Sequence, residues 1–294
     1  MKRMLSVAAA ALIGSLVASQ AMAATIVVGG KDFTEQLLLA EMTAQLLSAN
    51  GFDVDKRDGM GSQVVRDAQV NGQVDVYWEY TGTSLVTYNH VEEQLGAEET
   101  YNRVKELDAA QGLTWLNPAE ANNTYALAVL ADSERTSDIQ TLSDLAAAFK
   151  QDSDLVIAIN AEFSERPDGL PGLEKAYGFE TTRANLRPMD SGLTYQALRD
   201  GQVDAALVFA TDGRIQAFDF RVLKDDKEFF PNYALAPVVR TEVLEANPTL
   251  AEPLNALSAA LTDDVMQRLN AAVDVDKRTI EEVAKQFLSD NGLS

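Results

Sequence analysis

Cysteine is absent from all 294 residues, and histidine occurs once, at position 90. The first absence excludes disulfides, thiolate metal sites and thiol nucleophiles. His90 stands in Tyr88-Asn89-His90-Val91-Glu92-Glu93, a polar helix start or loop, and reads as a solvated side chain. No Gly-x-Ser-x-Gly elbow, phosphate loop or His-Glu-x-x-His is present. Carboxylates are plentiful, but nothing singles out an acid/base pair. Positive charge is also scarce: 24 Lys and Arg stand against 45 Asp and Glu, a formal net charge of −21. Such a chain is repelled by nucleic acid and by anionic lipid heads. Its charges are spread along the chain, so solubility is their first reading. No segment after the N-terminus is long and apolar enough to span a bilayer.

What is present begins with a leader. Lys2 and Arg3 precede an apolar stretch from Val7 to Val17, and Ala21-Met22-Ala23 supplies the small residues a signal peptidase reads. Residues 1–23 are therefore expected to be a cleaved signal peptide, which places the mature chain in a periplasm-like space. No cysteine follows the cleavage site, so no lipid anchor is expected.

Thr25 to Val28 reads as a buried strand ending in a Gly29-Gly30 turn. Asp32-Phe33-Thr34-Glu35 fits a capping box with Asp32 as N-cap. Leu38, Met42 and Leu46 then recur at helical spacing, and Asn50-Gly51 ends the helix. A helix over Ser62 to Asn71 leads through Gly72 to a strand, Val74 to Trp78, that runs into Glu79-Tyr80-Thr81-Gly82-Thr83. The same plan recurs. A strand over Leu155 to Ile159 precedes Phe163-Ser164-Glu165, matching Phe33-Thr34-Glu35. After a helix over Tyr195 to Asp200, Gly201-Gln202-Val203-Asp204 repeats Gly72-Gln73-Val74-Asp75, and the strand beyond delivers Phe209 and Thr211. The repeat predicts two similar α/β lobes whose strand ends face each other across a cleft, a preferred place for a ligand. Tyr125 to Val129 and Tyr233 to Val239, each beginning Tyr-Ala-Leu-Ala, are read as the connections between lobes. The helical tail from Asn247 is expected to pack back on the first lobe.

Aromatic residues make up 7% of the chain, yet Tyr80, Tyr125, Tyr195 and Phe209 fall at strand ends and junctions, with Tyr77, Trp78 and Tyr233 close by. Ring faces attract bulky, poorly hydrated cations. Lys31 and Arg166 lie in the corresponding loops of the two lobes and suit a carboxylate. The competing reading is local salt bridges, to Glu35 and Asp168. An aromatic cage with a carboxylate clamp describes a zwitterion with a bulky cation.

Four segments carry a resemblance: Gly30-Lys31-Asp32-Phe33-Thr34-Glu35-Gln36, Val76-Tyr77-Trp78-Glu79-Tyr80-Thr81-Gly82-Thr83, Arg166-Pro167-Asp168-Gly169-Leu170 and Thr211-Asp212-Gly213-Arg214. Together, and in this order, the sequence resembles the glycine betaine/choline/carnitine substrate-binding proteins of osmoprotectant ABC transporters. The resemblance implies an α/β, two-lobed periplasmic-binding-protein fold of type II that closes on its ligand. The repeat assigns residues 24–124 and 232–294 to lobe one, and 125–231 to lobe two. The resemblance also implies a ligand-binding set of Lys31, Tyr80, Thr83, Asn123, Tyr125, Arg166, Tyr195 and Phe209. Tyrosines there hold a trimethylammonium group, while Lys31, Thr83 and Arg166 hold a carboxylate. Phe209 stands where a betaine-binding relative has Tyr, and Asn123 where one has an acidic residue. The implied partners are a small zwitterion such as glycine betaine and a membrane permease. The chain is expected to act as a monomer, without a cofactor, metal or catalysis. Choline, carnitine and ergothioneine are the alternative ligands, and an enzyme using a carboxylate pair in the cleft is the alternative class.

Overall fold

The computed structural model describes residues 25–91, 93–151 and 154–293. The expected leader lies outside them. In chain order, β1 (Ile26–Lys31), α1 (Thr34–Ala49), β2 (Val54–Met60), α2 (Ser62–Val70), β3 (Val76–Tyr80), α3 (Ala97–Ala109) and β4 (Leu113–Trp115) build most of one lobe. The second lobe holds β5 (Tyr125–Leu130), α4 (Leu142–Lys150), β6 (Ile157–Ile159), α5 (Ala161–Glu165) and α6 (Leu170–Tyr177). It continues with β7 (Leu186–Pro188), α7 (Ser191–Arg199), β8 (Ala205–Phe209), α8 (Arg214–Ala217) and β9 (Phe220–Val222). The chain then returns to the first sheet as β10 (Leu235–Arg240) and ends in α9 (Thr241–Ala246), α10 (Ala251–Ala259), α11 (Asp263–Asp274) and α12 (Ile280–Asp290).

Each lobe is built on a five-stranded sheet, ordered β2-β1-β3-β10-β4 and β7-β6-β8-β5-β9. The two orders correspond strand for strand. In each, the fourth strand arrives from the other lobe and runs antiparallel to its neighbours, while the first three are parallel. Tyr125–Leu130 and Leu235–Arg240 are thus not the interlobe connections expected of them. They are buried almost throughout, in the interior of the sheets, and so read as unbroken apolar runs. The crossings are the irregular segments just before them.

The internal repeat has a structural cause. Gly72 and Gly201 end their helices with φ of +76° and +66°, a region that favours glycine. The aspartate three residues later then turns back on its sheet. Asp75 accepts from the Val27 N–H and Asp204 from the Val156 N–H, both at 2.8 Å. The motif therefore pins β1 to β3 in one lobe and β6 to β8 in the other.

At the N-terminus two expectations are corrected. β1 runs straight through Gly29 and Gly30 instead of turning there. A Cβ on Gly29 would lie 2.7 Å from Val74 Cγ1 and one on Gly30 2.9 Å from Ala40 Cβ, so close packing explains the glycines. Phe33, not Asp32, occupies the N-cap position of α1, and no side chain caps it. Glu35 is thereby free to point inward. α1 buries Leu38, Leu39, Met42, Leu46 and Leu47. As expected, the C-terminal helices pack back on the first lobe, α11 and α12 against α1 and α10 against β10.

Candidate functional site

The strand order brings the ends of β1, β3, β6 and β8 and the starts of β5 and β10 to one cleft. The pairings Leu235↔Tyr80 and Tyr125↔Phe209 place aromatic residues there from both sheets. The cleft encloses a cavity of about 620 Å³ lined from both lobes, within the range of small-molecule sites.

One wall is aromatic. Phe33 stacks on Phe209 with centroids 5.6 Å apart and on Tyr80 at 6.3 Å. Tyr125 meets Phe209 at 5.4 Å and Tyr233 at 5.5 Å. All five rings line the cavity. The sequence places Phe33 in the repeat and in a resemblance segment, and Tyr233 at the start of a presumed connection, but assigns neither to the ligand-binding set. Their place at a cap position and at a crossing becomes visible once the strands are ordered. Tyr195 is different. Its ring lies outside the lining, fully buried, with the Arg214 guanidinium 3.9 Å from its centroid. Its hydroxyl accepts from the Phe209 N–H at 2.8 Å. The face assigned to a ligand cation is taken by Arg214, because Tyr195 lies on the inner side of α7, against the sheet. It steadies the end of β8.

Lys31, Thr83, Asn123 and Arg166 all line the cavity. Lys31 is 2% exposed, and its Nζ sits 2.6 Å from Glu79 and 5.0 Å from the centre of the Tyr80 ring. Its carboxylate partner is Glu79, not Glu35. Arg166 grips Asp168, with Nε at 2.8 Å, reaches across the cleft to Thr83 Oγ1 at 3.3 Å, and lies 5.3 Å from the Tyr125 ring centre. Asp168 also accepts from the Tyr233 hydroxyl at 2.6 Å. Burial disfavours the Arg166 charge, but Tyr125, Asp168 and Tyr233 outweigh it and hold the guanidinium well above its ordinary range. The salt bridge to Asp168 is real, yet both partners are buried: Arg166 lines the cavity and Asp168 lies outside the lining.

Glu35 was not singled out as a site residue. Its carboxylate is buried and lines the cavity. It accepts from Tyr80 Oη at 2.7 Å, Asn123 Nδ2 at 2.8 Å, Asn270 Nδ2 at 3.2 Å and the Thr211 hydroxyl. Burial pushes its carboxyl upward, and these donors hold it back only in part. A second cationic centre lies toward α11. Arg214 holds Asp212, with Nε at 2.9 Å, and reaches Asp274 at 3.2 Å. At the cleft rim, Ser62 at the start of α2 donates N–H and Oγ–H to Glu162 of α5, at 3.0 and 2.9 Å.

The arrangement can enclose a small organic ion between rings and charges. Among the described residues, no group of acidic or histidine side chains is arranged to hold a metal ion.

A family model described as the substrate binding domain of ABC-type glycine betaine transport systems matches residues 24–290. The chain is 45% identical over 299 residues to a glycine-betaine-binding protein of Pseudomonas aeruginosa, covering 100% of this chain and 96% of that one. It is 34% identical to the glycine betaine-binding protein YehZ of Escherichia coli, covering 92% of each. Among solved structures, a glycine betaine/carnitine/choline ABC transporter protein superposes with a TM-score of 0.73 at 29% identity, over 91% of this chain and 99% of that one.

Proposed function

The chain belongs to the substrate-binding family of ABC-type glycine betaine transport systems, and we propose that it captures glycine betaine in the interlobe cavity for delivery to a membrane permease. Its fold is the two-lobed, type II periplasmic-binding-protein fold. One observation carries the ligand assignment. A five-ring wall and the Arg166–Thr83–Lys31 group open into the same cavity, matching the two ends of a trimethylammonium carboxylate. Cation–π contacts contribute about 0.5–2 kcal/mol each when desolvated. A few of them account for much of the roughly 8 kcal/mol behind micromolar binding. The P. aeruginosa and E. coli relatives carry glycine betaine in their names, which supports the same choice.

The ligand-binding residues in this reading are Lys31, Tyr80, Thr83, Asn123, Tyr125, Arg166 and Phe209, joined by Phe33 and Tyr233. Tyr195 supports them from behind. The ligand leaves unchanged, and the protein works as a monomer in the periplasm. Thermal unfolding with glycine betaine, choline, carnitine and ergothioneine tests the assignment. At a hundred times Kd a ligand stabilises by about 2.7 kcal/mol. With the four ligands at one common concentration, the largest shift is expected with glycine betaine. A larger shift with any of the others, or none with glycine betaine, overturns it.

A further inference from the structure

The charges around the cavity do not balance pair by pair. Lys31 has Glu79 at 2.6 Å, Arg166 has Asp168 at 2.8 Å, and Arg214 has Asp212 at 2.9 Å. Glu35 is a buried carboxylate that accepts hydrogen bonds, among the described residues, from neutral groups: Tyr80, Asn123, Thr211 and Asn270. These donors divide evenly, with Tyr80 and Asn123 on Oε1 and Thr211 and Asn270 on Oε2. An ionised carboxylate offers about four acceptor directions, and here all are taken. The group is saturated in hydrogen bonds and uncompensated in charge.

That combination has a chemical meaning. A primary ammonium would bring N–H donors to oxygens with no direction left to receive them, and would give up its hydration for nothing. A cation without N–H groups needs only the field. The Tyr80 hydroxyl rests on Glu35 while its ring stacks with Phe33, which in turn stacks on Phe209. The carboxylate therefore sits at the edge of the aromatic wall, where the field and the ring faces act on the same volume.

We propose that Glu35 is the counter-charge for the ligand's quaternary ammonium head, and that it makes the site select a cation over a neutral group of the same shape. Asn123, besides lining the cavity, then holds Glu35 in place: its Nδ2 donates to Glu35 and its Oδ1 accepts from the Thr211 N–H at 3.3 Å. The charge in this wall comes from α1, through Glu35, and not from the crossing segment that carries Asn123.

The inference rests on the glycine betaine reading, and its test separates the two. Calorimetric titration compares glycine betaine with tert-butylacetate, which keeps the carboxylate and replaces the charged nitrogen by carbon. Wild type is expected to prefer glycine betaine by about a hundredfold, the scale of one charge pair at intermediate dielectric. Glu35→Gln is expected to shrink that ratio by about tenfold or more, mainly by weakening glycine betaine. Glu35→Asp is expected to keep most of it. Equal losses for both ligands in Glu35→Gln, an unchanged ratio, or no preference in wild type overturns the role of Glu35 while leaving the function standing. So does a Gln variant that fails to fold when the Asp variant folds, since the charge would then serve the fold. Wild type that binds no glycine betaine overturns the function, and this inference with it.

Discussion

At the scale of single residues, the buried pairs decide what each substitution does. Arg166→Ala removes the partner of Asp168, which is 3% exposed. Breaking such a pair typically costs about 3–5 kcal/mol of stability. Urea unfolding of the variant is expected to show that loss in addition to weakened glycine betaine binding. Unchanged stability would mean that Asp168 finds compensation elsewhere. Tyr195→Phe tests the opposite case. The Phe209 N–H loses its acceptor, which costs about 1–3 kcal/mol when a buried donor is left unpaired. Affinity should change by less than tenfold, about 1.4 kcal/mol, because the ring lies outside the cavity. A larger affinity loss with intact stability would return Tyr195 to the cage. Glu35 carries a pH signature. Its carboxyl is raised above 4.5 in the folded protein, first by burial. Just above that pH the native state binds more protons than the unfolded chain, so the Glu35 contribution to stability falls as pH rises. Unfolding curves of the ligand-free protein across this window should show a shallower decline in Glu35→Gln than in wild type. Identical slopes would contradict a raised carboxyl.

At the scale of elements, one contact across the cleft rim touches no ring of the cage. Glu162 of α5 receives two hydrogen bonds from the first residue of α2. Its side chain is 39% exposed, so each bond is worth no more than about 0.5–1.5 kcal/mol. Glu162→Ala is expected to speed glycine betaine release by about two- to tenfold with a nearly unchanged on-rate, since such contacts form after encounter. Stopped-flow displacement measures both rates, and an unchanged off-rate would show that the contact contributes nothing to closure. The elements themselves were largely legible. Gly72 and Gly201 announced two copies of one helix–strand junction, and the structure assigns them the same hydrogen bond. The ends were read less well. Asp32 looked like an N-cap because a capping box is a local pattern, whereas the inward turn of Glu35 depends on partners 45, 88, 176 and 235 residues away. No spacing rule reaches that far. Tyr195 was misplaced for a related reason. A tyrosine on the buried side of a helix and one facing a cleft look alike until the sheet beneath the helix is known.

At the scale of the whole molecule, the excess of negative charge and the cavity's recognition groups serve separate ends. The net charge of −21 is spread along the sequence and favours solubility. The interior cations Lys31, Arg166 and Arg214 each bring a carboxylate with them. The two lobes share one apolar core, which runs through Tyr80, Tyr125, Tyr233 and Leu235 beside the crossings. The central claim is that this cavity takes up intact glycine betaine. Isothermal titration of glycine betaine into the protein, followed by recovery of the ligand, tests it most directly. The account predicts saturable binding of about one ligand per chain, at micromolar affinity or about 8 kcal/mol, with the betaine recovered unchanged. Absence of saturable heat up to millimolar ligand, or recovery of a chemically altered product, would contradict it.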